Sequence, residues 1–164
     1  MIMVDKYNMG CASFASQGVK WPDREAARVA QRAAALWPHE ACGLLLAPLA
    51  DPRRPETLAG PLRAVRCRNR HPRPEQGYEL HPRDFLRWDR RAGARGLGIV
   101  GVWHSHPCGA ARPSATDHER AWRGWIYLIV AVEPPAGEPG QRAWRWSADG
   151  VTEVSLDGTG SSFD

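Results

Sequence analysis

Leu97-Gly98-Ile99-Val100-Gly101-Val102-Trp103-His104-Ser105-His106-Pro107 is the stretch on which the reading of this chain turns. The run Leu97–Trp103 is short and apolar, as a buried strand is, and it leads into a polar turn carrying two histidines. Side chains at i and i+2 of a strand share a face, so His104 and His106 can meet one ion while Trp103 turns away into packing. Further on, Ser114 is suited to cap a third helix running to about Trp122, which puts Asp117 on its first turn. A short connection can return that carboxylate to the strand end. Two histidines and an aspartate leave a fourth tetrahedral position open for water, the arrangement of a catalytic rather than a structural zinc site. A His-x-His pair alone is weak, because short motifs recur by chance.

On the N-terminal side, Ala26, Val29, Ala30, Ala33 and Leu36 recur at helical spacing between Pro22 and Trp37, with Asp23 and Glu25 in the favourable first turn. Pro38 ends this helix, and Cys42–Leu46 reads as a buried strand. Pro48–Pro61 reads as a surface loop. Leu62–Arg68 alternates as a half-exposed strand does, and Tyr78–Leu80 reads as a short strand after a Pro-rich link. A second helix opens at Pro82, with Phe85, Leu86 and Trp88 for packing, and closes at Gly93 and Gly96. Trp125–Val132 is a further strand. Ala143–Trp146 and Val151–Val154 can form a hairpin around Asp149-Gly150. Strands interrupted by helices predict an α/β or α+β fold, a mixed central sheet flanked by helices. The eight tryptophans are expected in the core or at its edges.

At 164 residues the chain fits one domain, with 43% hydrophobic and 24% charged residues. We divide it into a flexible N-terminal segment (1–20), a catalytic domain (21–156) and a C-terminal tail (157–164). The formal charge is +4, and its positive residues are spread along the chain, which argues against a nucleic-acid partner. No apolar run is long enough for a membrane span and no signal-peptide core is present, so a cytoplasmic protein with no membrane partner is expected. Cys11, Cys42, Cys67 and Cys108 are expected as free thiols.

The segment His104-Ser105-His106-Pro107, followed by Ser114 and Asp117 and preceded far upstream by Glu40-Ala41-Cys42-Gly43-Leu44, resembles the JAMM (MPN-plus) signature of zinc metallopeptidases. The resemblance runs from about Val29 to Val132. It implies an MPN fold, cytidine-deaminase-like, with Zn2+ held by His104, His106 and Asp117. It also implies Glu40 as general base and Ser114 as stabiliser of the tetrahedral oxyanion; helix capping is the competing role for Ser114. Cys108 departs from the family pattern by placing a thiol beside the metal motif, where it is either a further ligand or a loop residue.

Without the insertions of eukaryotic deubiquitinating members, the chain is similar to the compact bacterial branch. The implied partner is a ubiquitin-like sulfur-carrier protein with a C-terminal Gly-Gly, trimmed of an extension or relieved of an amino acid such as cysteine. Asn69–Leu80 resembles that branch's substrate-side strand, and a homodimer is left open. The competing class is a non-catalytic MPN-type scaffold. Other chemistries fail on particular residues. His39-Glu40 lacks the second histidine of a zincin helix, Pro107-Cys108 lacks the second cysteine of a nucleobase deaminase, and nothing marks Cys42 as an activated nucleophile.

Overall fold

In the computed structural model, which describes residues 18–158, the chain begins with β1 (Val19–Lys20) and α1 (Asp23–Leu36). Val29 and Ala33 of α1 are buried as their spacing predicts, with Ala26 and Leu36 partly so; Ala30 faces solvent. β2 (Cys42–Pro48) and β3 (Arg63–Cys67) follow, then α2 (Pro82–Gly93) and β4 (Leu97–His106). α3 (Ala115–Arg120) leads to β5 (Ile126–Ala131), and β6 (Gln141–Ser147), β7 (Gly150–Val154) and β8 (Leu156–Asp157) complete the order.

Six strands form one mixed sheet in the order β3-β2-β4-β5-β6-β7, parallel between β4 and β5 and antiparallel elsewhere. Strand alternation sends side chains to two separate cores. Leu45, Val100, Trp103, Leu128 and Val130 pack with Val29 and Ala33 of α1, whereas Leu44, Leu46, Val102, Trp125 and Tyr127 pack with Ala92, Phe85 and Trp88 of α2. The sheet is therefore covered on both faces, as an α/β layer requires.

Glycine matters most at Gly43. Here the Trp103 indole crosses from β4 over β2 to donate to the Val65 carbonyl of β3 at 2.9 Å. A Cβ at Gly43 would overlap both that oxygen and the indole nitrogen. Three strands are thus tied by one side chain passing over a missing one.

Several elements differ from the sequence reading. Tyr78–Leu80 is not a strand: only Leu80 bridges to Asn69, because the Asn69 carboxamide takes the Glu79 amide and the Gly77 carbonyl that a ladder would have used. β4 runs on through His106, and α3 stops at Arg120. Val19–Lys20, read as part of the N-terminal segment, pairs in parallel with Leu156–Asp157, and Val19 is buried. Trp37 is exposed; Trp122 is half exposed with its ring edge-on to Trp125 at 4.6 Å between centroids, and Leu86 is partly exposed where it lines the metal cavity. Cys42, Cys67 and Cys108 are free; Cys11 lies outside the described residues. Among the described residues no helix is long and apolar enough to cross a membrane.

Candidate functional site

The sheet delivers His104 and His106 at the C-terminal end of β4, on the face that carries α2. Cys42 of β2 and Ile129 of β5 flank His104 in register, which leaves its ring fully buried. Asp117 arrives from the first turn of α3. Ser114 caps that helix: its Oγ accepts from the Asp117 amide at 3.2 Å and donates to Asp117 Oδ2 at 2.6 Å, and the Asp117 carboxylate accepts from the Ser114 amide at 2.7 Å. This reciprocal capping fixes the carboxylate before anything binds to it.

The donor atoms converge as the spacing predicts. His104 Nε2 lies 3.2 Å from His106 Nε2 and 3.2 Å from Asp117 Oδ1, and His106 Nε2 lies 3.6 Å from Asp117 Oδ2. Metal–ligand bonds of about 2.0–2.1 Å in tetrahedral geometry give ligand separations of about 3.3 Å, and the two imidazole nitrogens and the Asp117 carboxylate stand close to that spacing, each nitrogen facing a different carboxylate oxygen. His106 Nδ1 faces the Ala110 carbonyl at 3.2 Å, which sets that nitrogen as donor and turns the Nε2 lone pair inward. The donor set fits a metal ion. Cys108 is exposed and is not among the converging groups.

Electrostatics within the group follow from burial and mutual contact. Burial lowers the His104 pKa more than Asp117 restores it. For His106 burial also pulls down, but Asp117 and the Ala110 carbonyl outweigh it and the pKa is raised. Burial works against the Asp117 carboxylate, yet contacts with both imidazoles and Ser114 hold it well below the usual range.

Glu40 is buried at the end of the α1–β2 connection. Burial pushes its carboxyl up to about 7, against the opposing influence of His106 and with a smaller push from Asp117. It lines the same cavity of about 430 Å³ as His104, His106, Ser114 and Asp117. Cys42, two residues further on at the start of β2, is pushed far up by burial and by the neighbouring Cys67 thiol, so it is no thiolate nucleophile.

Three supporting residues escaped the sequence reading. Ser105, between the histidines, points to the opposite side of β4, where its Oγ accepts from the Ala41 amide at 2.8 Å while its own amide donates to the Ala41 carbonyl. That pair locks the residue after Glu40 onto the strand bearing both histidines. Asn69 donates to the Glu40 and Gly77 carbonyls at 3.0 and 2.9 Å, so it joins the Glu40 segment to the cavity wall. Tyr78 stacks on His104 with ring centroids 4.4 Å apart. For Asn69 and Tyr78 the signal in sequence is the resemblance around Asn69 to Leu80, and for Ser105 its place between the two histidines of the motif.

A family model described as prokaryotic homologs of the JAB domain matches residues 22–147. The desampylase of Haloferax volcanii is 35% identical over 120 residues, which are 73% of this chain and 78% of that protein. The solution structure of a Desulfitobacterium hafniense protein superposes with a TM-score of 0.70 at 26% identity, covering 86% of this chain and 92% of its own. A Salinibacter ruber protein gives 0.59 at 29% identity, covering 88% and 94%. The crystal structure of a JAB1/MPN domain protein from Archaeoglobus fulgidus shares the fold at a TM-score of 0.50 and 18% identity, covering 87% and 98%. These matches support a hydrolase. With its fold, its converging His-His-Asp group and a family match over most of its length, the chain belongs to the prokaryotic homologs of the JAB domain.

Proposed function

We propose that the protein is a zinc-dependent peptidase or isopeptidase that cuts after Gly-Gly at the C-terminus of a small ubiquitin-like sulfur-carrier protein, trimming an extension or releasing an amino acid such as cysteine. The observation that carries this reading is the convergence of His104, His106 and Asp117 beside the buried Glu40 on one open cavity. The desampylase match and the JAMM-like spacing support the same reaction class.

His104, His106 and Asp117 hold the ion. Bound there, zinc supplies a Lewis acid for the scissile carbonyl and acidifies water to a pKa near 7. Glu40 is the base. Its carboxylate takes the proton from the attacking water and passes it to the leaving amine from the wall of the same cavity. Ser114 holds Asp117 first, since its hydroxyl proton is directed to Oδ2; donation to the tetrahedral oxygen requires that proton to turn away. Tyr78 keeps the His104 ring in plane, and the residues from Gln76 to Leu80 form the wall along which an extended tail lies. Close walls favour glycine at the cut.

The direct test is incubation of the zinc-loaded protein with candidate carrier proteins bearing short C-terminal extensions, read as intact mass. Loss of the extension after Gly-Gly, absent in His106→Ala, is the expected result. Cleavage of unrelated peptides at equal rates, with no dependence on Gly-Gly, identifies a general peptidase and defeats the carrier assignment.

A further inference from the structure

A second concavity of about 460 Å³ lies between α1, β3 and the C-terminal half of α2, away from the metal group. Phe85 and Leu86 of α2 face the metal cavity, whereas Trp88, Arg91 and Arg95 line this one. Five arginines surround it: Arg24, Arg28, Arg63, Arg91 and Arg95. One acid, Glu25, joins them. The excess of four positive charges equals the formal net charge of the whole chain, +4, so the chain is otherwise balanced.

Contacts inside the protein satisfy this set only in part: Arg91 lies over the Trp88 ring at 5.7 Å and Arg95 Nη1 donates to the Arg91 carbonyl at 3.4 Å. Arg24 and Arg28 stand at i and i+4 on α1, a spacing at which like charges repel, while Arg91 lies in the last turn of α2 and Arg95 just past its end. Arg24 also sits in the first turn of α1, where the helix carries its own partial positive charge. Glu25 does not neutralise the set. It is buried, accepts from the Ala64 amide at 3.0 Å, takes Arg28 Nη1 on both oxygens at 3.0 and 3.1 Å and stands 3.9 Å from Arg24 Nε, so a single carboxylate is shared between two guanidiniums and the set stays in positive excess. Arg63 has no ion pair among the described residues.

The neighbouring sheet edge excludes one class of partner. Along the outer side of β3, Glu25 takes the Ala64 amide, Trp88 Nε1 donates to the Arg66 carbonyl at 3.0 Å, and Asp84 takes the Arg68 amide at 2.9 Å. An acidic peptide cannot add here as a strand. Five arginines around one concavity suit a compact ligand whose charges are close together, and guanidinium forks suit phosphate oxygens.

We propose that this groove binds a polyphosphate group, either free or as the phosphate tail of a nucleotide. The site is independent of the peptidase assignment. The test is calorimetric titration of the metal-stripped full chain with tripolyphosphate, ATP and orthophosphate, so that metal sequestration contributes no heat. Tripolyphosphate should bind at least tenfold more tightly than orthophosphate, and Arg63→Ser with Arg95→Ser should weaken it at least tenfold. Arg53→Ser, at an exposed position outside the groove, should not. Equal affinity for ATP and tripolyphosphate assigns recognition to the phosphates alone; tighter ATP binding extends it to the nucleoside. Should the first pair fail to fold by circular dichroism, Arg91→Ser with Arg95→Ser replaces it. Affinity no better than for orthophosphate, or unchanged in the folded variant, overturns the proposal and leaves an ordinary solvated basic face.

Discussion

A buried carboxyl with a raised pKa costs stability, and Glu40 carries that cost at the centre of the site. Its folded pKa, about 7, lies above the ordinary 4.5, so the folded chain binds the proton more readily than the unfolded chain. Stability of the metal-free protein therefore falls as pH rises from about 4.5 to about 7, and the full penalty persists above that window. Glu40→Gln removes the charge and should stabilise the metal-free protein at pH 8 by up to roughly 2–3 kcal/mol, read from denaturant melts. The same change should keep zinc while lowering turnover by at least about a hundredfold, as loss of a general base does. Near-normal cleavage would remove Glu40 from the mechanism, and loss of zinc would make it a ligand. Cys108→Ser should change neither zinc content nor turnover by more than about twofold, since the thiol is exposed and apart from the donor group; altered oxidant sensitivity would restore it to the site.

Among the elements, β2 is held by an absence and α2 by a charge. Gly43→Ala would push apart Val65 and the Trp103 indole, and should cost about 2–4 kcal/mol from overpacking plus the lost hydrogen bond, measured by chemical denaturation. A cost under about 0.5 kcal/mol would mean the strands part easily. Asp84 anchors α2 to β3 through the Arg68 amide and guanidinium at 2.9–3.0 Å, and these contacts hold its carboxyl down at about 2 against an ordinary 3.8. With the folded pKa depressed, that stabilisation is present above about 3.8 and lost as pH falls towards about 2. Asp84→Asn should therefore flatten the acid limb of the stability curve in that window, and an unchanged limb would discount the anchor. Periodicity made most elements legible: the helix after Pro22, the strand after Glu40 and the hairpin at Asp149 all stand where their patterns predict. β1 and β8 were illegible because a two-residue parallel pair has no period to read. Ser105, Asn69 and Tyr78 were equally hidden, since each acts on a segment that only the assembled sheet brings near, whereas the ligand spacing is local to one strand and one helix turn.

At the scale of the molecule, the donor group joins the end of β4 to α3, so metal binding and folding should be linked. Chelation should abolish cleavage and lower the melting temperature, and stoichiometric zinc should restore both. A melting temperature indifferent to chelator, in protein shown to have lost its metal, would detach the group from stability. The blocked outer side of β3 has another consequence, for how copies of the chain meet. Endless strand-to-strand stacking needs two receptive margins per molecule, and the six-stranded sheet offers at most one, along β7, whose far side has no sheet partner among the described residues. Pairing through that margin closes on itself after two copies. Growth through the six-stranded sheet therefore ends at a dimer.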